Sequence, residues 1–295
     1  MSMNPTEINF VNKIDVRHWH QPSPRLDWVK DLEEGRVLHF EALPFSLAQH
    51  EQQFLTESTQ NPDARNISLD AQERLKGVSA SVQNQDDLKD MILRFRELAN
   101  QLVESAFPKY KDNLRLAPTS FRPNQVETRA QSIRADDKRL HVDAFPTRPN
   151  YGERILRVFL NINPNGKPRN WRIGEPFEDI AKHFVPTIKP YSSWQAHLLK
   201  TFRITKSLRS EYDHLMLGIH DGMKMSDDYQ TSCRQVSYNF NPGSVWVCYS
   251  DQTAHAVMAG QFMMEQTYHL PVSSMYSPES SPLAILERLT HRKLV

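Results

Sequence analysis

Apolar and polar positions follow two periods along this chain. In residues 85–107, QDDLKDMILRFRELANQLVESAF, the apolar positions Leu88, Met91, Ile92, Phe95, Leu98 and Leu102 recur every three or four residues. That spacing predicts a helix with one apolar stripe. Asp86 and Asp87 suit its N-terminal dipole, and Pro108 ends it. GRVLHFEALPF (35–45) alternates instead, with Leu38, Phe40 and Ala42 on one parity and Val37, His39 and Glu41 on the other, which predicts a strand. SLAQHEQQFL then predicts a helix with Ser46 as N-cap, and the polar residues 56–84 predict loops.

From about Leu114 the pattern shortens. TRAQSIRA, RLHVDAF, RILRVFLNIN, VSYNF, SVWVCYS, AHAVM and QFMMEQTYHL read as short strands separated by Pro, Gly and Asn. Such segments predict an antiparallel barrel or sandwich. A helical insert at about 175–215, EPFEDIAKHF with SSWQAHLLKTFRITKSLRSEYDHLM, interrupts them, and SPLAILERLTHRKL predicts a terminal helix. The expected architecture is mainly β with flanking helices. It forms one domain over 1–295: a strand and helical region (1–113), a β-core with its insert (114–272) and a C-terminal helix (273–295).

Composition narrows the partners. The 295 residues include 36 basic and 35 acidic ones, for a net charge of +1, so no bulk field favours nucleic acid. An anionic ligand must be held by local clusters. Cys233 and Cys248 are the only cysteines and lack metal or redox spacing, so they read as small buried hydrophobes. MSMNPTEINFVNKID has neither the basic nor the apolar part of a signal peptide, and no stretch approaches a membrane span. A cytoplasmic protein is expected, with peripheral contact at a membrane left open.

Candidate chemistry begins at RLHVDAFP (139–146). On a strand, His141 and Asp143 point the same way while Leu140 and Val142 pack on the other face. The spacing alone carries little weight, because HFE at His39 and Glu41 shares it. A second histidine changes this. In NPGSVWVCYSDQTAHAVMAG a Pro242-Gly243 turn, a strand at 245–249 and a loop at 250–254 lead to His255, which opens the next strand. A strand histidine is more often a satisfied structural residue, but two imidazoles with one carboxylate form the facial set of a non-haem Fe(II) site. In RILRVFLNIN, Arg157 sits in the middle of an otherwise apolar strand. It reads either as an internal salt bridge or as a fork for the far carboxylate of 2-oxoglutarate. Asn161, on the same face, is a candidate hydrogen-bond donor to that co-substrate.

LHVDAFPTRPNYGERILRVFLNINP, RNWRIGEPFED and NPGSVWVCYSDQTAHAVMAGQF resemble the bacterial Kdo 3-hydroxylases, Fe(II)/2-oxoglutarate-dependent dioxygenases, over residues 35 to 272. The resemblance implies a double-stranded β-helix in which His141, Asp143 and His255 bind Fe(II). It implies 2-oxoglutarate and O2 as co-substrates. Its substrate would be Kdo (3-deoxy-D-manno-oct-2-ulosonic acid) on a lipid A precursor, hydroxylated at C3 to Ko at the cytoplasmic face of the inner membrane. Many such dioxygenases carry a basic anchor on the strand after the distal histidine. Here HAVMAGQFMMEQTY has none, and Glu265 stands near that place. Other branches use the strand after His-x-Asp, which fits Arg157, 14 positions after Asp143. For an acidic sugar on a phosphorylated carrier, Arg122, Arg129, Arg169 and Trp171 are candidate contacts, against the plainer reading of a solvated basic surface. The insert at 175–215 is a candidate lid. Two rivals remain: the same chemistry on an amino acid, small metabolite or protein side chain, and a non-catalytic carbohydrate-binding module using Trp171 and Trp246 as platforms.

Overall fold

A computed structural model describes residues 9–128 and 131–295. It opens with β1 (Val11–Ile14), α1 (Leu26–Glu33), β2 (Val37–Phe40), β3 (Ile67–Leu69) and β4 (Leu75–Lys76). Next come α2 (Gln85–Ala106), β5 (Arg115–Arg122), β6 (Arg154–Asn161) and β7 (Arg169–Gly174). The helices α3 (Phe177–Phe184), α4 (Ser193–Thr201), α5 (Glu211–Met225) and α6 (Asp227–Ser232) follow. The chain closes with β8 (Gln235–Phe240), β9 (Val245–Tyr249), β10 (His255–Ala259), β11 (Met263–Leu270) and α7 (Pro282–Thr290).

The strands form two sheets. The larger runs β1-β2-β9-β6-β11-β5-β3-β4 and the smaller β10-β7-β8. Every pairing between them is antiparallel except that of β1 with β2. Phe159, Trp246 and Met263 of the larger sheet meet Trp171, Phe240 and Val257 of the smaller in one buried cluster. Two facing sheets around this aromatic core make a double-stranded β-helix with helices outside.

Strand alternation assigns the faces. On β6, Leu156, Val158 and Leu160 point outward and pack with the α2 stripe, including Leu88, Ile92, Phe95 and Leu102. Truncating a fully buried ring such as Phe95 would cost about 3–5 kcal/mol. Behind the smaller sheet, Leu140, Val142 and Ala256 pack on Phe177 and Ile180 of α3, Ile219 of α5 and Leu286 of α7.

Several expectations change. No α-helix starts at Ser46; a tighter 3-10 turn spans Gln49–Phe54. The Glu51 carboxylate accepts from the Ala48 N–H at 2.8 Å while Arg94 holds it, so Glu51 rather than Ser46 closes that turn. The strand expected at TRAQSIRA is absent from its described part: residues 129 and 130 lie outside the described residues, and Ile133–Ala135 is a 3-10 turn. Residues 56–84 contain β3 and β4. β5 was hidden by Pro118, which it tolerates because the β5–β11 register shifts between Gln266 and Tyr268. The insert runs on through α6 to Ser232, and its long second helix is broken at 202–210 before Ser210 and Asp213 cap α5 reciprocally.

Candidate metal centre

RLHVDAF does not join a full ladder. His141 pairs with His255 in a single bridge, and the Asp143 N–H donates to the Ser250 carbonyl at 2.8 Å. Along the remaining edge, the Gln230 side chain from α6 replaces a neighbouring strand. Its Oε1 accepts from the Leu140 N–H at 2.7 Å and its Nε2 donates to the Leu140 carbonyl at 2.9 Å. The segment is extended, so His141 and Asp143 do share a direction while Leu140 and Val142 are buried behind them. Gly174 lets β7 approach this segment: a Cβ there would lie 2.7 Å from Leu140 Cδ2.

The geometry brings His141, Asp143 and His255 together. One ligand atom from each lies within 4.8 Å of the others. His141 Nε2 is 3.8 Å from Asp143 Oδ1, and the two imidazole centroids are 4.7 Å apart. His141 Nδ1 lies 2.7 Å from the Arg139 carbonyl and His255 Nδ1 2.9 Å from the Thr253 carbonyl. A carbonyl only accepts, so each ring carries its proton on Nδ1 and offers Nε2 as a lone pair.

Burial lowers both imidazoles from their ordinary value; the charges of His255 and Lys224 push His141 lower still. Burial by itself would raise the Asp143 carboxyl, but Arg157, His255 and His141 outweigh it and hold it well below the usual range. Two neutral imidazoles and one carboxylate are the protonation states a divalent cation requires.

Arg157 projects inward from β6. Its Nη2 lies 2.8 Å from Asp143 Oδ2, a charge contact without hydrogen-bond alignment, and its Nη1 donates to Glu265 Oε1 at 2.8 Å. Arg122 from β5 donates to Glu265 Oε2 at 2.9 Å. Asp143, Arg157, Glu265 and Arg122 thus alternate in sign. Burial opposes ionising Glu265, and Arg122 and Arg157 overcome it. Arg122 Nε and Arg157 Nε are buried in this region without a hydrogen-bond partner among the described residues. Unpaired guanidinium donors of this kind suit an incoming carboxylate.

The other candidates separate. Asn161 is 1% exposed and donates to the Phe240 and Lys167 carbonyls, four positions (about 13 Å) along β6 from Arg157, so it is a structural residue and not a co-substrate donor. Trp171 is 1% exposed and stacks on the His255 ring at 5.1 Å. It braces the histidine and offers no face to a sugar. Trp246 is equally buried, which removes the carbohydrate-platform reading. Arg169 is buried four positions along β7 from Ile173, the partner of His255, and so sits at the other end of that strand from the triad. Arg129 lies outside the described residues. His39 of the HFE decoy bonds Tyr238 and Ser244 hydroxyls at 2.7 and 3.0 Å and is structural. Sequence reasoning missed Lys224, buried on α5 with Nζ donating to the Arg134 carbonyl at 3.1 Å, and His220, edge-on to His141 at 5.4 Å. Lys224 and His220 share one face of α5, at i and i+4, a signal visible only once the helix is known to pack on the site.

Comparisons with known proteins show the family to which the chain belongs. The sequence model of a family described as 3-deoxy-D-manno-oct-2-ulosonic acid (Kdo) hydroxylase matches residues 15–293. Among solved structures, the chain is similar to the apo form of the Kdo hydroxylase KdoO, a non-heme Fe(II) alphaketoglutarate dependent dioxygenase, with 43% identity, 97% of each chain covered and a TM-score of 0.92. It is similar to that protein's complex with alphaketoglutarate and Fe(III) at 43% identity and to the complex with succinate and Fe(III) at 42%, both with a TM-score of 0.91 over 97% of each chain. No curated protein matches the chain.

Proposed function

The chain belongs to the Kdo hydroxylase family, and on that premise we propose that it hydroxylates C3 of Kdo on a lipid A precursor to give Ko, as an Fe(II)- and 2-oxoglutarate-dependent dioxygenase. The observation that carries this reading is the convergence of His141, Asp143 and His255 on one point in a chain that the family matches nearly end to end. Those three residues would hold Fe(II), and Arg157 would take the far carboxylate of 2-oxoglutarate. When bound, iron, 2-oxoglutarate and O2 supply oxidative decarboxylation to succinate and CO2 coupled to insertion of one oxygen atom into a C–H bond. Support for the co-substrate comes from the similar protein's complexes with alphaketoglutarate and succinate.

The chain's own residues have defined tasks. The Arg139 and Thr253 carbonyls fix the imidazole tautomers. Trp171, stacked on His255, excludes water behind the metal and holds the ring's orientation. Arg157 orients Asp143 and shares its fork with the co-substrate, and Glu265 with Arg122 holds that fork in place. Half-buried Arg122 and buried Lys224 are cations near this region that suit an acidic sugar. The reaction would run at the cytoplasmic face of the inner membrane. Among the described residues no helix is long and apolar enough to cross a membrane, so contact with lipid would be peripheral.

The test is succinate release with Fe(II), 2-oxoglutarate, O2 and Kdo-bearing lipid A, together with a product mass raised by one oxygen atom. His141→Ala and Asp143→Ala should abolish both. Full turnover in either variant would remove the triad, and turnover of free amino acids in place of the Kdo lipid would change the substrate.

A further inference from the structure

Helix α4 exposes what a helix ordinarily hides. Trp194 is 68% exposed, Leu198 36% and Phe202, its C-cap residue, 71%. Steps of four residues put these three side chains on one stripe. Ile204, just beyond, is 55% exposed. Ala196 is the helix's only buried residue and lies on the opposite side, so the helix touches the protein through its small face and turns its large apolar face to solvent.

Charge follows the same segment. Residues 180–210 contain six Lys or Arg and no Asp or Glu, in a chain whose net charge is only +1. Lys200, Arg203 and Lys206 are exposed beside the stripe, and none has a carboxylate partner among the described residues. Large apolar groups ringed by unpaired cations match the headgroup boundary of an anionic bilayer. A second protein would be expected to offer carboxylates to those cations, but the same stripe on a second copy of this chain would offer only like charge.

The segment is also fastened to the site. The Lys206 N–H donates to the Thr147 carbonyl at 2.9 Å, Arg209 donates to the Pro146 carbonyl at 2.7 Å, and the Tyr151 hydroxyl donates to the Leu208 carbonyl at 2.6 Å. Residues 144–151 follow directly on Asp143. We infer that α4 and residues 202–206 are a docking surface for an anionic phospholipid membrane, holding the loop after Asp143 against the lipid face from which a lipid-borne substrate is presented. The purpose of the docking rests on the reading of the substrate given above; the docking itself does not.

Trp194 supplies the probe. The other four tryptophans, Trp19, Trp28, Trp171 and Trp246, are buried, so quenching by lipid reports on Trp194. The full chain is sedimented with vesicles of phosphatidylglycerol and phosphatidylethanolamine, and with vesicles of phosphatidylcholine alone. Binding should favour the anionic vesicles, with brominated acyl chains quenching the emission and Trp194→Phe removing the quenching while binding persists. Each cation at an anionic surface contributes about fivefold, so Lys200→Gln with Arg203→Gln should weaken binding about 25-fold. Trp194→Ser with Phe202→Ser should release the protein while turnover of a delipidated Kdo substrate stays unchanged. Equal binding to both vesicle types, no binding to either, or self-association lost with Trp194→Ser and Phe202→Ser but no lipid binding would overturn the inference. Loss of turnover on every Kdo substrate with vesicle binding intact would count against the substrate reading alone.

Discussion

Arg157 offers the sharpest test, because two roles for it predict different outcomes. In the structure it joins Asp143 and Glu265, each at 2.8 Å. Replacing it with Met keeps the volume and removes the cation. Glu265 retains Arg122 at 2.9 Å, whereas Asp143 loses its one basic side-chain contact, besides the imidazoles, among the described residues. Breaking a buried ion pair from one side costs about 3–5 kcal/mol. For 295 residues the unfolding entropy is about 0.6 kcal/mol/K, so the metal-free protein should melt about 5–8 °C lower. If Arg157 also grips the co-substrate, a charge-assisted pair worth about 1.5–3 kcal/mol is lost, raising the 2-oxoglutarate KM by about 10- to 150-fold. Metal affinity should hold or improve, since a positive charge has left the neighbourhood of Asp143. Succinate release measured against 2-oxoglutarate concentration, beside a metal titration and a thermal melt, separates the cases. A lower melting temperature with a KM within about twofold of wild type would make Arg157 an internal ion pair and nothing more. Glu265→Gln is the complement: it removes the brace that holds both guanidinium groups, so the 2-oxoglutarate KM should rise and the protein should be less stable.

Other side chains give independent predictions. Gln230→Leu leaves the buried Leu140 N–H and carbonyl unpaired; stability should fall by about 2–5 kcal/mol and Co(II) affinity by about 10- to 100-fold, read by denaturation and metal titration. Arg154, fully buried, is held by Asp251 at 2.8 Å and Gln252 at 2.6 Å over the Tyr249 ring. Asp251→Leu should cost about 3–5 kcal/mol, and adding Arg154→Met should restore a large part of it; no restoration would show the pair is not the unit. Burial pushes His39 down to about 4 from 6.5. The unfolded chain therefore binds a proton near pH 6.5 that the fold refuses until about pH 4. This contribution to stability is complete above pH 6.5 and is lost as pH falls through that window, by at most about 1.4 kcal/mol per unit. His39→Gln should flatten the pH dependence of the urea midpoint over that range, and parallel slopes would exclude His39 as the cause.

What the sequence made legible was whatever a single segment determines. The inward and outward faces of β6 and the stripe of α2 follow from spacing, so both were readable. So were His141 and Asp143, because two-residue spacing fixes a common direction in any extended segment, ladder or not. β7 was missed because its outward positions, Asn170 and Arg172, are polar and its inward set begins with a charge, so its alternation resembles a loop. Trp171 was misassigned for a non-local reason: whether an indole meets sugar or core depends on the register that opposes Trp171 to Val257, beside His255. The role of Gln230, 90 residues from Leu140, leaves no local trace at all.

Glu265 shows the same division at the site itself. A carboxylate on the strand after the distal histidine should repel a dianionic co-substrate, by about 4 kcal/mol per charge pair at 4 Å and an effective dielectric constant near 20. HAVMAGQFMMEQTY, from His255 to Tyr268, contains no Lys or Arg to offset it. In the sheet, however, β11 lies between β6 and β5, and each neighbour sends one arginine across to Glu265, Arg157 from one side and Arg122 from the other. With Asp143 included, the four groups carry no net charge, so a divalent metal and a dianion can enter as a balanced pair. Glu265 then does not replace a missing anchor. It fixes the rotamers of two cations whose long side chains would otherwise lose considerable freedom on binding a ligand. The two cations of this wall come from the strands on either side of β11 rather than from the motif after the histidine, which is why that motif shows only the acid at the centre.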